Sequence, residues 1–223
     1  MPSATDELLE AEIRPSWRLS AERSLYLAVE RTLVVADIHW GYADSHRRVG
    51  NLLPMWGDAE IARRLRRLLG HYRPARMIWL GDSLHTPLSA SVAEAFLDAL
   101  APELEVVVLA GNHDRAWPRA GAHEFRLGGC FFHHGDRAPE VDAGLIEIIG
   151  HMHPAIAWGD GAGLRLKVPA LVEGPRRIIL PSFSDWSAGA PWNGRLEPDE
   201  RLWLISRRRI WAMTGNRVGP ACP

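Results

Sequence analysis

The sequence predicts an α/β fold, on three observations. The first half alternates short apolar runs with helical stretches in the order β-α-β-α-β. The second half is a succession of short strand patterns separated by turns such as Gly128-Gly129 and Glu173-Gly174-Pro175, as in mainly β regions. Finally, five apolar runs stop abruptly at side chains that bind metal. Leu33-Val34-Val35-Ala36 ends in Asp37-Ile38-His39, Met77-Ile78-Trp79-Leu80 in Gly81-Asp82, and the run from Val106 to Ala110 in Gly111-Asn112-His113-Asp114. Phe131-Phe132 ends in His133-His134-Gly135-Asp136, and the run from Leu145 to Ile149 in Gly150-His151-Met152-His153. Strands that end this way bring their ligands to one rim of a sheet, where open α/β sheets bind.

Ser24–Glu30 and Leu33–Ala36 read as strands joined by a tight turn at Glu30-Arg31. Asp58–Leu69 reads as a helix, because Ile61, Leu65, Leu68 and Leu69 recur at helical spacing. Its arginines Arg63, Arg64, Arg66 and Arg67 are read as a solvated face rather than a DNA-binding stripe. Arg76–Leu80 lacks alternation and is expected to be buried on both faces. Ser89–Leu100 is a helix with Ser89 or Ser91 as its N-cap, and Leu104–Ala110 is a further buried strand. Strands then follow at His123–Leu127, Cys130–His133, Leu145–Ile149, Leu164–Val172, Arg176–Leu180, Arg201–Ser206 and Arg209–Met213.

No composition break, repeat or linker divides the 223 residues, so 1–223 is read as a single domain. A net charge of -1 excludes a global basic field, so any contact with nucleic acid must be local. Lys167 is the only lysine among the 26 basic residues, a bias that suits phosphate handling or reflects base composition. Two cysteines, Cys130 and Cys222, make no disulfide framework and fit a reducing compartment. Residues Met1 to Glu12 lack an apolar core for a signal peptide, and no run approaches the roughly 18 apolar residues of a membrane span. The expected location is cytoplasmic, with no membrane partner.

The candidate ligands define the metal chemistry. Asp37 and Asp82 offer anionic oxygens, Asn112 a neutral oxygen, and His39, His134, His151 and His153 imidazole nitrogens. A set of N and O donors without sulfur suits manganese first, with iron, zinc or cobalt as alternatives, and disfavours calcium or an iron–sulfur cluster. Seven ligands are too many for one catalytic ion with open positions. They suit two divalent ions sharing a carboxylate, roughly 3.5–4 Å apart, which clamp a phosphoryl displacement and activate a water.

Asp37-x-His39, Gly81-Asp82, Gly111-Asn112-His113-Asp114, His134-Gly135 and Gly150-His151-x-His153 resemble, in order and spacing, the five signature motifs of calcineurin-like metallophosphoesterases. The resemblance implies a four-layer sandwich of two facing mixed β-sheets flanked by helices; periodicity alone gives only α/β. It implies one metal on Asp37, His39, Asp82 and His153, and another on Asp82, Asn112, His134 and His151, with Asp82 bridging. It implies that His113 faces the substrate phosphate with Asn112 and donates a proton to the leaving oxygen, while Asp114 orients His113 or secures the loop. Leu33 to Gly41, Arg47-Arg48-Val49-Gly50, Gly111 to Arg115, Gly150 to Ile156 and Leu180-Pro181-Ser182-Phe183 further resemble the bacterial DNA ligase-associated PdeM subgroup. That subgroup implies an endonuclease or phosphodiesterase of DNA repair, with a DNA ligase, an exonuclease and a helicase as partners. Ser184-Asp185-Trp186-Ser187, Ser83-Leu84 and Ala170 depart from the subgroup's usual residues, and none is expected to touch a ligand.

Other residues carry two readings each. His133 competes with His134; the resemblance favours His134, since the family's ligand directly precedes the glycine, and strand alternation then points His133 to the opposite face. His85 orients a ligand, contacts phosphate or packs in its loop. Trp40, next to His39, walls the substrate groove or packs in the loop. Arg47, Arg48 and Arg115 hold flanking phosphates or pair at the surface. The expected function is two-metal hydrolysis of a phosphodiester, DNA first. The rivals are a phosphatase or phosphodiesterase for a small nucleotide or lipid-linked sugar nucleotide, and a non-catalytic scaffold of a repair complex.

Overall fold

The computed structural model describes residues 8–159, 165–187 and 189–214. Leu164, Cys222 and most of the Met1 to Glu12 segment lie outside them. A six-stranded sheet runs β1 (Glu10–Arg14), β2 (Trp17–Ser20), β3 (Leu25–Leu27), β4 (Thr32–Val35), β5 (Arg76–Trp79) and β6 (Glu105–Val108) in spatial order. Its first four strands are antiparallel neighbours, and β4, β5 and β6 are parallel.

The second sheet contains β7 (Glu124–Leu127), β8 (Cys130–His133), β9 (Ile146–Ile149), β10 (Pro154–Gly159), β11 (Arg165–Glu173), β12 (Arg177–Ile179) and β13 (Ala190–Pro191). It is ordered β13-β10-β11-β12-β9-β8-β7, and β14 (Arg201–Ile205) and β15 (Ile210–Thr214) join through β11. Here β8, β9 and β12 are parallel. The two sheets together are therefore both mixed, as expected.

Alternation along the strands builds the layers. Val34, Ile78 and Leu109 of the first sheet meet Phe132, Ile148 and Ile178 of the second in one buried core between the sheets. The other face of the first sheet, with Leu33, Val35, Met77 and Trp79, packs under helices α2 (Gly57–Tyr72) and α3 (Ala90–Asp98). A short α1 (Tyr42–Arg48) precedes them. Among the described residues no helix follows Asp98. The outer face of the second sheet is covered instead by Trp192 and Leu196 and by Trp211 and Met213 of β15. No described helix is long and apolar enough to cross a membrane.

The strand expectations hold to within a few residues, with two kinds of exception. The β1, β2, β10 and β13 strands and α1 were not anticipated. Only Ile13 of β1 and Ala43 of α1 are buried, so neither shows an apolar period. The second exception concerns the helical arginines. Arg64 is not on a solvated face: it is 3 % exposed, on the same stripe as Ile61, Leu65 and Leu68. Its guanidinium binds the Glu22 carboxylate (2.7 Å) and the carbonyl of Phe183 (2.7 Å), and lies 4.1 Å from the Phe183 ring. A cation among apolar neighbours is tolerated only when each donor is used, and here the partners come from both ends of the chain. Arg63 behaves as expected, pairing with Glu60 at the surface.

Arg64→Ala is therefore expected to lower unfolding free energy by about 2 kcal/mol, since it takes the donor from the Phe183 and Glu22 carbonyls and leaves the Glu22 carboxylate with Arg67 as its remaining partner. Urea unfolding followed by circular dichroism checks this, and a loss well under 1 kcal/mol contradicts it.

Candidate metal centre

The C-terminal ends of β4, β5, β6, β8 and β9 lie along one edge, and the loops that leave them interlock. Asp37 N–H donates to the Gly81 carbonyl (3.2 Å), His39 N–H to Asp82 (3.0 Å), Gly150 N–H to His134 (2.9 Å) and Phe183 N–H to Ala36 (2.8 Å). Asp37, His39, Asp82, His151 and His153 all have positive φ, between 43° and 61°. They make up five of the nine such non-glycine residues among those described. Left-handed backbone is strained for side-chain-bearing residues and concentrates at functional sites. Two glycines let the ligands approach: a Cβ on Gly111 would lie 2.2 Å from Asp82 Oδ1, and one on Gly150 2.6 Å from Asp37 Oδ2.

Two clusters that combine carboxylate and imidazole donors result, each with its atoms within 4.8 Å of one another: Asp37, His39 and His153, and Asp82, His134 and His151; a third group, His39, His85 and His113, holds imidazoles alone. In the second cluster His134 Nδ1 meets the Leu80 carbonyl (2.9 Å), which can only accept, so Nδ1 carries the proton. Its Nε2 then points at Asn112 Oδ1 (3.2 Å), His151 Nδ1 (3.1 Å) and Asp82 Oδ1 (3.4 Å). Four electron-rich atoms converge. In the first cluster Asp37 Oδ1 and His153 Nε2 stand 2.9 Å apart, yet both, like His39 Nδ1, lack a hydrogen-bond partner while buried. Such orphaned acceptors cost a few kcal/mol each unless a cation meets them. The donor set and its geometry therefore fit two divalent ions.

Charge shifts agree with this crowding. Burial pushes the His39 imidazole down to about 4, against the pull of Asp37 and Asp82, so it is neutral as a ligand must be. Burial acts the same way on His134, but Asp82 and Asp37 outweigh it and raise His134 to about 9. Asp82, raised by burial, is carried down to about 2 by its bond to His134 and the neighbouring charges. The opposite movements of His134 and Asp82 describe one interaction: a proton held between them where a metal would sit.

All seven predicted ligands are thus brought to one rim, which removes the scaffold reading. His113 borders the clusters. Its Nδ1–H donates to the His85 carbonyl (2.8 Å), and Nε2 faces Asp82 Oδ2 at 3.9 Å. His85 itself stacks on His113 (5.5 Å) and stands edge-on to His39 (5.6 Å). Asp114 makes no bond to the His113 ring. It is buried and accepts backbone N–H groups of Leu84 (2.9 Å), Gly111 (3.1 Å) and Ser83 (3.2 Å), tying two ligand loops together. His133 points away from the rim to Glu147 (2.8 Å). Arg115 is exposed. Arg47 bonds the Leu53 carbonyl (3.0 Å) and Arg48 pairs with Asp44 (2.8 Å).

Two expectations are corrected. Trp40 does not wall a groove: it is 1 % exposed and packs on Phe96 with ring centroids 5.5 Å apart. The i, i+1 step from His39 turns it to the helix side of the sheet. Ser187, expected to touch no ligand, sits 2.7 Å from His153 Nδ1. The loop from 182 to 187 also supplies Ser182 Oγ–H and Ser184 N–H to the Asp37 carbonyl (2.9 and 3.2 Å). No spacing pattern in the sequence announces these supports, because they arrive from a distant strand end.

A family model for calcineurin-like phosphoesterases matches residues 30–165, more than half of the chain. The chain belongs to the calcineurin-like phosphoesterase family. Within that family it is a two-metal phosphoesterase, with two histidine/aspartate clusters typical of the catalytic members. Among solved structures it is similar to nuclease MPE from Pseudomonas putida, at 25% identity and a TM-score of 0.71. That match covers 93% of this chain and all of the other. The phosphoesterase Yfce from E. coli aligns over 84% of this chain and 94% of its own, at 17% identity and a TM-score of 0.41. No curated protein matches the chain.

Gly111→Ala is expected to push the Asp82 carboxylate aside and weaken metal binding about 10–100-fold. Titration calorimetry with manganese on the metal-free protein measures this, and an unaltered affinity contradicts it.

Proposed function

We propose that the chain is a two-metal phosphodiesterase acting on nucleic acid, DNA first, with manganese as its native metal. The observation that carries this is the pair of donor clusters on one rim, with Asp82 in the second and its charge acting on His39 and His153 of the first. The overall similarity to a protein described as a nuclease supports the substrate class. Asp37, His39, Asp82 and His153 hold one ion, and Asp82, Asn112, His134 and His151 the other. Bound there, two ions supply positive charge for the attacking and leaving oxygens of an in-line displacement.

The chain's own groups do the rest. Asn112 and His113 face the scissile phosphate. His113, held by the His85 carbonyl, presents Nε2 on the rim and donates a proton to the departing alkoxide. Asp114 positions this loop through the backbone and takes no proton. Arg115, exposed one residue further on, meets a flanking phosphate. The motif resemblance to the PdeM subgroup supports a DNA-repair setting with a DNA ligase, exonuclease and helicase as working partners, and the cysteine usage supports a cytoplasmic one. A lipid-linked sugar nucleotide is the second reading, favoured by exposed apolar side chains of the α1–α2 loop and of the loop after His85: Val49 (77 %), Leu52 (90 %) and Leu88 (71 %).

Hydrolysis of single-stranded DNA, a phosphomonoester and a lipid-linked sugar nucleotide, each with manganese, iron, zinc and cobalt, tests the reading; preference for DNA supports it. Asp82→Ala is expected to abolish activity and to lower metal content in both clusters, and near-normal occupancy by elemental analysis contradicts the shared role. His113→Ala is expected to keep both metals and to slow turnover about 100-fold, most for substrates with poor leaving groups. Equal loss across leaving groups argues against proton donation.

A further inference from the structure

We infer that Trp56 and Trp186 form a stacking wall for an unpaired nucleobase next to the scissile phosphate, on the His153 side of the metal centre. This rests on the phosphodiesterase reading and adds to it the form of the substrate: a single strand with its base turned out.

Trp56 is 51 % exposed although tryptophan is normally well buried. It immediately precedes α2 and covers no part of the described core clusters. Its ring lies 5.1 Å from Trp186 at 44°, so the two indoles make a tilted aromatic surface with one side open. Gly57 permits this: a Cβ there would lie 2.5 Å from Trp186 Nε1.

The position of the pair links it to the metal centre. Asp58, two residues past Trp56, accepts the Gly41 N–H at 2.9 Å, and Gly41 is two residues past His39. Trp186 adjoins Ser187, whose hydroxyl meets His153 at 2.7 Å. The indoles therefore stand on segments that are hydrogen-bonded to the loops carrying two of the three donors of the first cluster.

A cationic flank lies beside them. A cavity of about 170 Å³ is lined by His153, Ser187, Ser182, Asp185, Arg23 and Lys167 among others. Arg23 is taken by Asp185 (2.6 Å). Lys167 bonds the neutral Gly189 carbonyl (2.8 Å), and among the described residues no carboxylate pairs with its ammonium. An aromatic face and a point cation on one side of a phosphoesterase centre match a nucleotide: the base stacks and the next phosphate meets the ammonium. A base paired within a duplex could not present its face to Trp56.

Two esters with the same leaving group test this, thymidine 5′-(p-nitrophenyl phosphate) and methyl p-nitrophenyl phosphate, with manganese-loaded protein. Wild type is expected to favour the thymidine ester about tenfold in kcat/KM, mainly through KM. Trp56→Ala is expected to bring that ratio near one, and Trp56→Phe to retain most of it. Metal content and circular dichroism verify that each variant is folded and loaded. A Trp56→Ala ratio equal to wild type, or a Trp56→Phe ratio as low as that of Trp56→Ala, overturns the inference. If wild type hydrolyses neither ester with any of the four metals, the phosphodiesterase reading falls, and the stacking wall with it.

Discussion

Lone pairs from opposite sheets are forced together at one buried rim, and most of the local structure is arranged around that conflict. Asp37, His39, Asp82 and Asn112 come from the first sheet; His134, His151 and His153 come from the second. Each donor cluster draws on both. Carboxylates and imidazole nitrogens at 2.9–3.4 Å repel unless a proton or a metal cation sits between them. A protein would not retain five left-handed ligand residues and glycines in near contact with carboxylates without a compensating interaction. A pair of cations bound at the two clusters would supply it.

The inter-sheet core follows from the same requirement. Ligands split between two sheets are only as precise as the packing that registers those sheets. Phe132 and Ile148 stand two and three residues before His134 and His151, and pack on Val34, Ile78 and Leu109, which stand three or four residues before Asp37, Asp82 and Asn112. All are essentially free of solvent. Close packing transmits small volume changes as displacement. Apolar residues two to four positions upstream therefore set the ligand spacing as surely as the ligands themselves.

The same geometry explains what could be read in the chain. The ligands were legible because a strand that ends in Asp, Asn or His breaks an apolar run at a visible point. The buried strands β4, β5, β8 and β9 were legible for the same reason. Arg64 was not, since its burial depends on Glu22 and Phe183, neither near it in sequence. The two readings of Trp40 stayed open in the sequence because adjacency to His39 says nothing about direction. One residue past a ligand in a left-handed turn faces the helix layer, whereas the residue before α2 faces out. The Ser182 to Ser187 supports were illegible because they reach Asp37 and His153 only through the parallel pairing of β12 with β9.

Three successive residues of one tight turn show how far the rim separates neighbouring roles. Asn112 directs its oxygen inward to His134 Nε2, at 3.2 Å. Asp114 turns below the loop and is consumed by three backbone N–H groups, which leaves it no oxygen for chemistry at the rim. His113 alone keeps a ring nitrogen on the open side, with about a third of its side chain exposed, while its other nitrogen is fixed by a carbonyl that cannot donate. On the proposed reading the proton donor must reach substrate, hold one orientation and stay out of the metal's coordination. Among these three residues, the backbone N–H of His113 bonded to Asp82 Oδ1 at 2.9 Å achieves this. It anchors the donor to the shared carboxylate through the main chain, so that the ring is positioned by the metal ligand without becoming one.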